Sequence, residues 1–353
     1  MHVESRQACL IRRTTLPALP TLPIVFFTLL ALWPVRAAAQ SGTGIGVRAQ
    51  GLAGAFTAVA DDATATWWNP AGLATGAIFN AVVEFDGFEE PRAGSSSSGV
   101  VPSWQLSAGG LSVAFPAFGL SYYRLRLSEI QANPTIGVPN ASRQDQGTAD
   151  VRLRSLVLNQ FGATVGQSLG GHLVVGSTLK LVRGSLGVAV RSGSGVSLDD
   201  ASALDGSGET HAGLDMGAMA TWGSIRLGLV ARNVTQPTFG AGSDSMTLKR
   251  EVRAGVAATP TSDVTVAFDA DLTTHPTAVG DERQAAAGLE VWSRDRRLGV
   301  RGGISASTVG SARSSASGGA SWALRHGVYI EGAGTVGADN ARRGWGFDLR
   351  VTY

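Results

Sequence analysis

Trp-Gly-Phe-Asp-Leu-Arg-Val-Thr-Tyr occupies residues 345–353. Trp345, Phe347, Leu349, Val351 and Tyr353 fall on one side of an extended chain, and Gly346, Asp348, Arg350 and Thr352 on the other. A period of two is the signature of a strand with one apolar and one polar face. Here the apolar face is continuous and aromatic at both ends. That pattern suits a strand whose greasy side meets lipid and whose polar side meets a lumen.

Working back from this stretch, the same alternation recurs. Phe79, Ala81, Val83 and Phe85 oppose Asn80, Glu84 and Asp86, and Val264, Val266 and Phe268 oppose Thr265, Asp269 and Asp271. Ile225, Leu227 and Leu229 oppose Arg226 and Arg232. Fourteen such segments are predicted, at about 78–86, 103–114, 118–128, 149–166, 172–186, 212–222, 225–234, 249–259, 263–273, 283–292, 297–306, 313–324, 327–336 and 344–353. Their connections alternate between tight turns, such as Gly223-Ser224 and Arg325-His326, and longer polar segments, such as 129–148 and 187–211. Short turns at one end and long loops at the other mark an outer-membrane barrel, and a soluble β-sandwich has no reason to show them. The predicted fold is therefore all-β: a transmembrane antiparallel barrel of about 14 strands over residues 76–353. Glycine, at 47 of 353 residues, suits tightly curved strands.

Residues 40–75 break the strand pattern. Val47 to Ala60 is rich in small residues, Ala above all, and reads as helix-compatible. Asp61-Asp62, Trp67-Trp68 and Asn69-Pro70 follow, and Pro70 forces the chain to turn. One compact segment ahead of a long strand pattern predicts a plug, or hatch, in the lumen. Asp61, Asp62, Trp67, Trp68, Asn69 and Pro70 are its candidate plug and gating residues. Trp67 and Trp68 are expected to pack near the start of the first strand, and Asn69 to cap the turn. Two aspartates at a helix carboxyl end need a cationic partner; Arg124, Arg126, Arg152 and Arg154 are the candidates.

This stretch resembles a known family. Ala49, Gly51, Gly54-Ala55-Phe56, Ala58, Ala60-Asp61-Asp62-Ala63 and Trp68-Asn69-Pro70-Ala71-Gly72-Leu73 are similar to the amino-terminal signature of FadL-type long-chain fatty-acid transporters of the outer membrane. PorV-like barrels and conjugal-transfer TraF-like barrels share it, and Ala231-Arg232-Asn233-Val234-Thr235-Gln236-Pro237 also looks TraF-like. The resemblance implies passive transport of hydrophobic small molecules, fatty-acid-like or aromatic, across the outer membrane. For the PorV-like and TraF-like relatives it implies instead a non-enzymatic partner in secretion or conjugal-transfer assembly. The chain departs from the transporters in its shorter length and its Ser/Gly/Asp-rich loops, so their ligand residues are not carried over. The aromatic Tyr353 resembles the membrane-insertion signal that barrel-assembly machinery reads.

Residues 1–39 read as a secretory signal peptide. Arg6, Arg12 and Arg13 precede an apolar run that ends near Trp33, and Ala37-Ala38-Ala39 forms a small-residue cleavage site. Pro17, Pro20 and Pro23 break that run, which argues against a membrane anchor. Cleavage would remove four arginines and one glutamate, leaving 25 basic and 26 acidic residues. Such a balance gives no basis for nucleic-acid binding. The single cysteine, Cys9, leaves with the signal.

Chemistry-bearing motifs are sparse. His172, His211, His275 and His326 are scattered and form no metal-ligand spacing. No GxSxG elbow appears, and the glycines at 44 and 46 follow no strand. No cofactor and no catalytic residues are expected, and the chain reads as no enzyme. A lumen lined by charge is expected instead: Glu84, Arg124, Arg126, Arg152, Arg154, Arg226, Arg232, Asp269, Asp271 and Arg350, with Asp86, Lys180, Asp215, Arg253, Glu290, Arg301, Glu331 and Asp348. An arginine facing mid-bilayer costs about 2–4 kcal/mol, which turns such residues inward. Trp104 and Trp345 are expected at the outer interface, and Trp222, Trp322 and Tyr353 at the inner one. The expected partners are outer-membrane lipid, a hydrophobic ligand or a secretion partner, and the barrel-assembly machinery, in the bacterial outer membrane.

Overall fold

A computed structural model describes residues 44–90, 102–132, 150–192, 195–277, 280–337 and 343–353. The predicted signal peptide and cleavage site, residues 40–43 and much of the predicted loops 87–102 and 129–148 lie outside the described residues. Fourteen strands close on themselves: β1 (Asn80–Glu90), β2 (Ser103–Phe115), β3 (Phe118–Ala132), β4 (Asp150–Leu169), β5 (Leu173–Ser192), β6 (Gly208–Trp222), β7 (Ile225–Arg232), β8 (Glu251–Thr261), β9 (Val264–Asp271), β10 (Gln284–Trp292), β11 (Leu298–Ser307), β12 (Ser315–Arg325), β13 (Val328–Gly337) and β14 (Arg343–Thr352). Each pairs antiparallel with its neighbours in sequence, and β14 returns to β1 through Asn80↔Thr352 to Glu89↔Arg343. Every predicted strand is present. Closure leaves no edge, so every ladder donor and acceptor has a neighbour.

The period-two reading holds around the wall. Phe85, Leu179, Leu181, Leu227, Phe268, Ile304, Trp322 and Phe347 stand exposed outward. Glu84, Asp215, Asp269, Glu290, Arg301, Glu331 and Arg350 are buried on the inner face. The greasier surface is therefore the outer one, the reverse of a water-soluble barrel. Trp222, Trp322, Trp345 and Tyr353 are exposed at strand ends, as expected of rings at an interface.

Two expectations are overturned by register. Trp104 faces inward and is buried, stacked on Phe88 with ring centroids 5.3 Å apart. Arg124 and Arg126 face outward. In β3 the inward set is Tyr123, Leu125, Leu127 and Glu129, all buried, so the arginines share the face of Leu120 and Tyr122. The cost of a charge in lipid turned these arginines inward in the sequence reading. It does not apply where a long strand rises past the apolar band, and β3, β4 and β5 run 15, 20 and 20 residues.

Above that band a second cluster of Ile130, Val151, Leu153 and Ala201 is buried. A short helix, α1 (Leu198–Ser202), contributes Ala201 and lies against β3 and β4. It starts with a capping box in which Ser197 and Asp200 exchange bonds. The backbone N–H and hydroxyl of Ser197 hold the Asp200 carboxyl below its ordinary range.

Leu179 is 66% exposed on the outer face of β5. Leu179→Arg is expected to destabilise the barrel by about 2–4 kcal/mol, the cost of an arginine at mid-bilayer depth. Urea unfolding in phospholipid vesicles, with heat-modifiable gel migration as the fold check, measures it.

Candidate functional site

Residues 44–76 carry little regular structure. They form one turn of helix at Val47–Gly51, another at Ala65–Trp68 and a 3-10 segment at Pro70–Thr75. In the helix-compatible stretch Val47–Ala60 the helix stops at Gly51, because Ala53 (φ 56°) and Gly54 (φ 87°) adopt left-handed backbone. Nearly all of these residues are nonetheless buried. A buried, irregular backbone needs partners for its N–H and C=O groups from elsewhere.

The inner wall supplies them. The Glu84 carboxylate accepts from Gly46 N–H at 2.6 Å. Asp269 accepts from Phe56 N–H at 3.0 Å and Thr57 N–H at 2.8 Å. Asn80 accepts from Ala63 N–H at 2.8 Å. Arg253 donates to Gly54 O at 3.1 Å, and Arg226 to Val59 O at 3.4 Å. Wall side chains thus do the hydrogen bonding that a longer helix would do within itself.

Shape complements this. Inward-facing glycines lie where the segment's backbone meets the wall. A Cβ on Gly176 (β5) would come within 2.4 Å of Pro70 C, and one on Gly228 (β7) within 2.5 Å of Thr57 O. On Gly217 (β6) it would meet Asn69 Oδ1 at 2.1 Å, and on Gly288 (β10) and Gly303 (β11) it would meet Leu52 at 2.8 and 2.6 Å. No side chain fits between segment and wall at these five positions.

Charge binds the two as well. Arg48 grips Glu290 through Nε and Nη2 at 2.8 and 2.6 Å, and its Nη1 pairs with Asp61 and lies 3.4 Å from Asp62. Glu290 is 3.6 Å from Arg301, Arg301 is 3.5 Å from Glu331, and Glu331 meets Arg350 at 2.7 Å. One chain of alternating sign therefore runs from the segment across β10, β11, β13 and β14. Arg253 also bridges Asp269 and Asp271 at 3.2 and 3.0 Å.

The cation for Asp61 and Asp62 is thus Arg48, from the same segment. Of the wall arginines expected in that role, Arg124 and Arg126 face outward. Arg152 pairs with Asp244 at 3.2 Å, and Arg154 stands opposite Glu129. Trp67 and Trp68 do not sit at the start of β1. Trp67 meets Tyr123 edge-on at 5.5 Å, and the Arg232 guanidinium stacks over both indoles at 5.3 and 5.7 Å. Trp68 Nε1 donates to Ile45 O at 2.8 Å. Asn69 accepts from Ala71 N–H at 3.2 Å and donates to Thr57 O at 2.9 Å, and Pro70 opens the 3-10 turn. Tyr353 exchanges backbone bonds with Phe79, closing the seam beside β1.

The inner wall is not uniformly charged. Phe88, Trp104, Leu106, Leu125, Leu127, Leu156, Leu158 and Val182 make an apolar inner surface on β1 to β5, continuous with Phe56, Trp67 and Trp68. Beside it, Gln284, Ser305, Ser315, Ser317 and Thr335 line a small cavity with Gln50, Trp68 and Phe88 of that surface. Sequence reasoning missed the apolar wall because it put the arginines of β3 inside, which sent Leu125 and Leu127 outside. Among the described residues no group of three or more His, Cys, Asp or Glu is arranged to hold a metal ion.

Arg48→Ala would leave Asp62 buried without its guanidinium, and Glu290 with only Arg301 at 3.6 Å. Removing one partner of such a pair costs about 3–5 kcal/mol, read as a lower melting temperature and faster proteolysis within residues 44–76. A second test uses neighbouring glycines. A Cβ on Gly303 would clash with Leu52 at 2.6 Å, whereas one on Gly302 meets nothing nearer than 3.8 Å. Gly303→Ala should cost about 1–3 kcal/mol, the usual range for overpacking, and Gly302→Ala under half of that, in the same melts.

A family model described as "F plasmid transfer operon, TraF, protein" matches residues 67–271. No curated protein matches the sequence. Among solved structures, the fold is similar to the CymD monoaromatic hydrocarbon channel, with a TM-score of 0.61 and 13% identity over 89% of this chain and 99% of that one. It is similar to the Ralstonia pickettii toluene transporter TbuX, with a TM-score of 0.54 and 14% identity over 88% and 99% of the two chains. A Pseudomonas aeruginosa FadL homologue gives a TM-score of 0.57 at 11% identity over 88% and 98%. At these identities the likeness is one of fold.

Proposed function

The chain belongs to the F plasmid transfer operon TraF family, and from that premise we propose that it is an outer-membrane barrel through which hydrophobic small molecules pass without energy input. The observation that carries this reading is the apolar inner wall of β1 to β5, which leads to the aromatic residues of the amino-terminal segment. A water-filled pore has a polar interior; a lumen lined by Phe88, Trp104, Leu125 and Leu158 favours an apolar solute. The similar folds include a monoaromatic hydrocarbon channel and a toluene transporter, so fatty-acid-like or aromatic compounds are the ligand class.

In this reading residues 44–76 are the plug. Asp61 and Asp62 hold it through Arg48, Trp67 and Trp68 face the apolar path, and Asn69 and Pro70 fix its turn. Glu84, Arg226, Arg232, Asp269, Asp271 and Arg350 serve as its seat or brace that seat. The chain performs no catalysis and needs no cofactor. It reaches the outer membrane behind a cleaved signal, and Tyr353 is read by the barrel-assembly machinery. A second reading, a non-enzymatic partner in secretion or conjugal transfer, is favoured by the family's own description, which names a transfer operon.

The test is uptake of labelled toluene and oleate by cells lacking their own channels. Expression of the protein should raise uptake several-fold over the vector, and Leu125→Asp with Leu158→Asp should return it to vector level. Deletion of residues 44–75 should raise planar-bilayer conductance above that of the intact barrel. Uptake at vector level, with a stoichiometric protein partner in the purified material, would sink the transport reading in favour of the second.

A further inference from the structure

The outward arginines of β3 and β5 take no part in the lumen. Arg124, Asn159 and Arg183 are Cα partners in one row across β3, β4 and β5. The outward row on the short-turn side of it is Tyr122, Phe161 and Leu181. On the long-loop side, Arg126 belongs to the next outward row.

The position of this row relative to lipid is bracketed from both sides. Towards the turns, Phe161 and Leu181 are exposed and apolar. Towards the loops, the outward Ile130, Val151 and Leu153 are buried beneath the segment that carries Ala201. Apolar side chains are thus bare below the arginine row and covered by protein above it, which puts the boundary of the hydrocarbon at that row. Tyr122 marks the same level: its ring lies on Phe161 with centroids 4.7 Å apart, and its hydroxyl donates to Asn159 Oδ1 at 2.9 Å. An aromatic ring with its apolar face down and its hydroxyl up is the usual interfacial arrangement.

Arg124 and Arg183 are exposed there. Among the described residues, no carboxylate pairs with Arg124, Arg126 or Arg183. The nearby acidic cap residue Asp200 lies 3.8 Å from Arg191 instead. Arg126 spends one N–H on Ser202 O at 2.7 Å, which anchors it. The Arg183 guanidinium lies beside Gly208, where an added Cβ would come within 3.4 Å of its Nη2. Three guanidinium groups therefore stand on one outer face at the polar edge of the bilayer, without anionic partners among the described residues. Guanidinium forks match phosphate oxygens in geometry and charge.

We propose that Arg124, Arg126 and Arg183 form a binding site for the phosphate groups of a phosphorylated glycolipid in the outer leaflet. The inference rests on the outer-membrane reading above. The lipid's phosphates would bridge the arginine row while its acyl chains lie down the wall over Phe161, Leu181 and Leu179. Bound lipid of this kind would hold the barrel at a fixed depth and orientation.

Native mass spectrometry of the full-length protein in detergent tests it, with bisphosphorylated lipid A and its dephosphorylated counterpart as probes. Wild type should retain the phosphorylated lipid at least tenfold more tightly. The R124Q/R126Q/R183Q triple variant, checked by heat-modifiable migration, should lose that preference. The R294Q/R297Q variant, changed in the turn at the opposite end, should keep it. Equal retention of both lipids by wild type would overturn the proposal, as would an undiminished preference in the triple variant. So would full displacement of the lipid by millimolar inorganic phosphate, which would mark a free-anion site. Fractionation separates the two levels of the argument. Wild type in the inner-membrane fraction would sink the outer-membrane reading and this site with it; an outer-membrane protein without the phosphate preference would sink this site alone.

Discussion

The contact between irregular backbone and side-chain-free wall governs this structure. At Gly176, Gly217, Gly228, Gly288 and Gly303 the barrel presents no Cβ, and the amino-terminal segment occupies the room so made. A fourteen-stranded barrel is too wide for its own side chains to fill. A second layer of chain must be brought in, and it packs well only where the wall yields space. The high glycine content, which as composition reads as curvature, is in part a steric imprint of that second layer.

Close approach alone would leave the segment's backbone groups dry and unpaired. Glu84, Asn80, Asp269, Arg226 and Arg253 satisfy them from the wall. Of those wall charges Asp269 and Arg253 pair with each other, and the most extensive pairing is the run from Asp61 through Arg48, Glu290, Arg301 and Glu331 to Arg350. Each group there is costly alone and tolerable only with its neighbour. The polar side of the lumen therefore supplies partners for the segment's backbone and charges, while Trp67, Trp68 and the inner leucines supply the apolar contact.

The number and order of the strands were legible in the sequence because period-two alternation, tight turns and long loops point to the same fourteen segments, whereas the long-loop ends of β3 and β5 run four and six residues past the expected bounds. Inward placement of Glu84, Asp269 and Arg350 was legible for the same reason. Arg124 and Arg126 were not. Alternation fixes which residues share a face, not which face is inside, and in β3 the charged face turns out. The cue that decides it, burial of Ile130 and Leu153 under a distant loop, is tertiary. The role of Arg48 was hidden by the assumption of a long helix through Ala60. Ala53 in left-handed backbone ends that helix early and brings Asp61 and Asp62 back to Arg48. Nothing local in Ala-rich sequence announces such a turn.

The same seat has a consequence for the order of folding. Arg48 and Glu290 are 242 positions apart, and Phe56 and Asp269 are 213 apart. The segment precedes every strand in the chain; Asn80 and Glu84 of β1 follow it closely, but Asp269 and Glu290 lie on strands far along the sequence. Contacts of such sequence separation form late, because long loops must close before they are rewarded. Until then the segment has two isolated helical turns, each far too short to persist alone in water. Its structure therefore depends on the wall against which it packs. The distant half of its seat is complete only once the wall has closed through the seam that begins at Asn80↔Thr352.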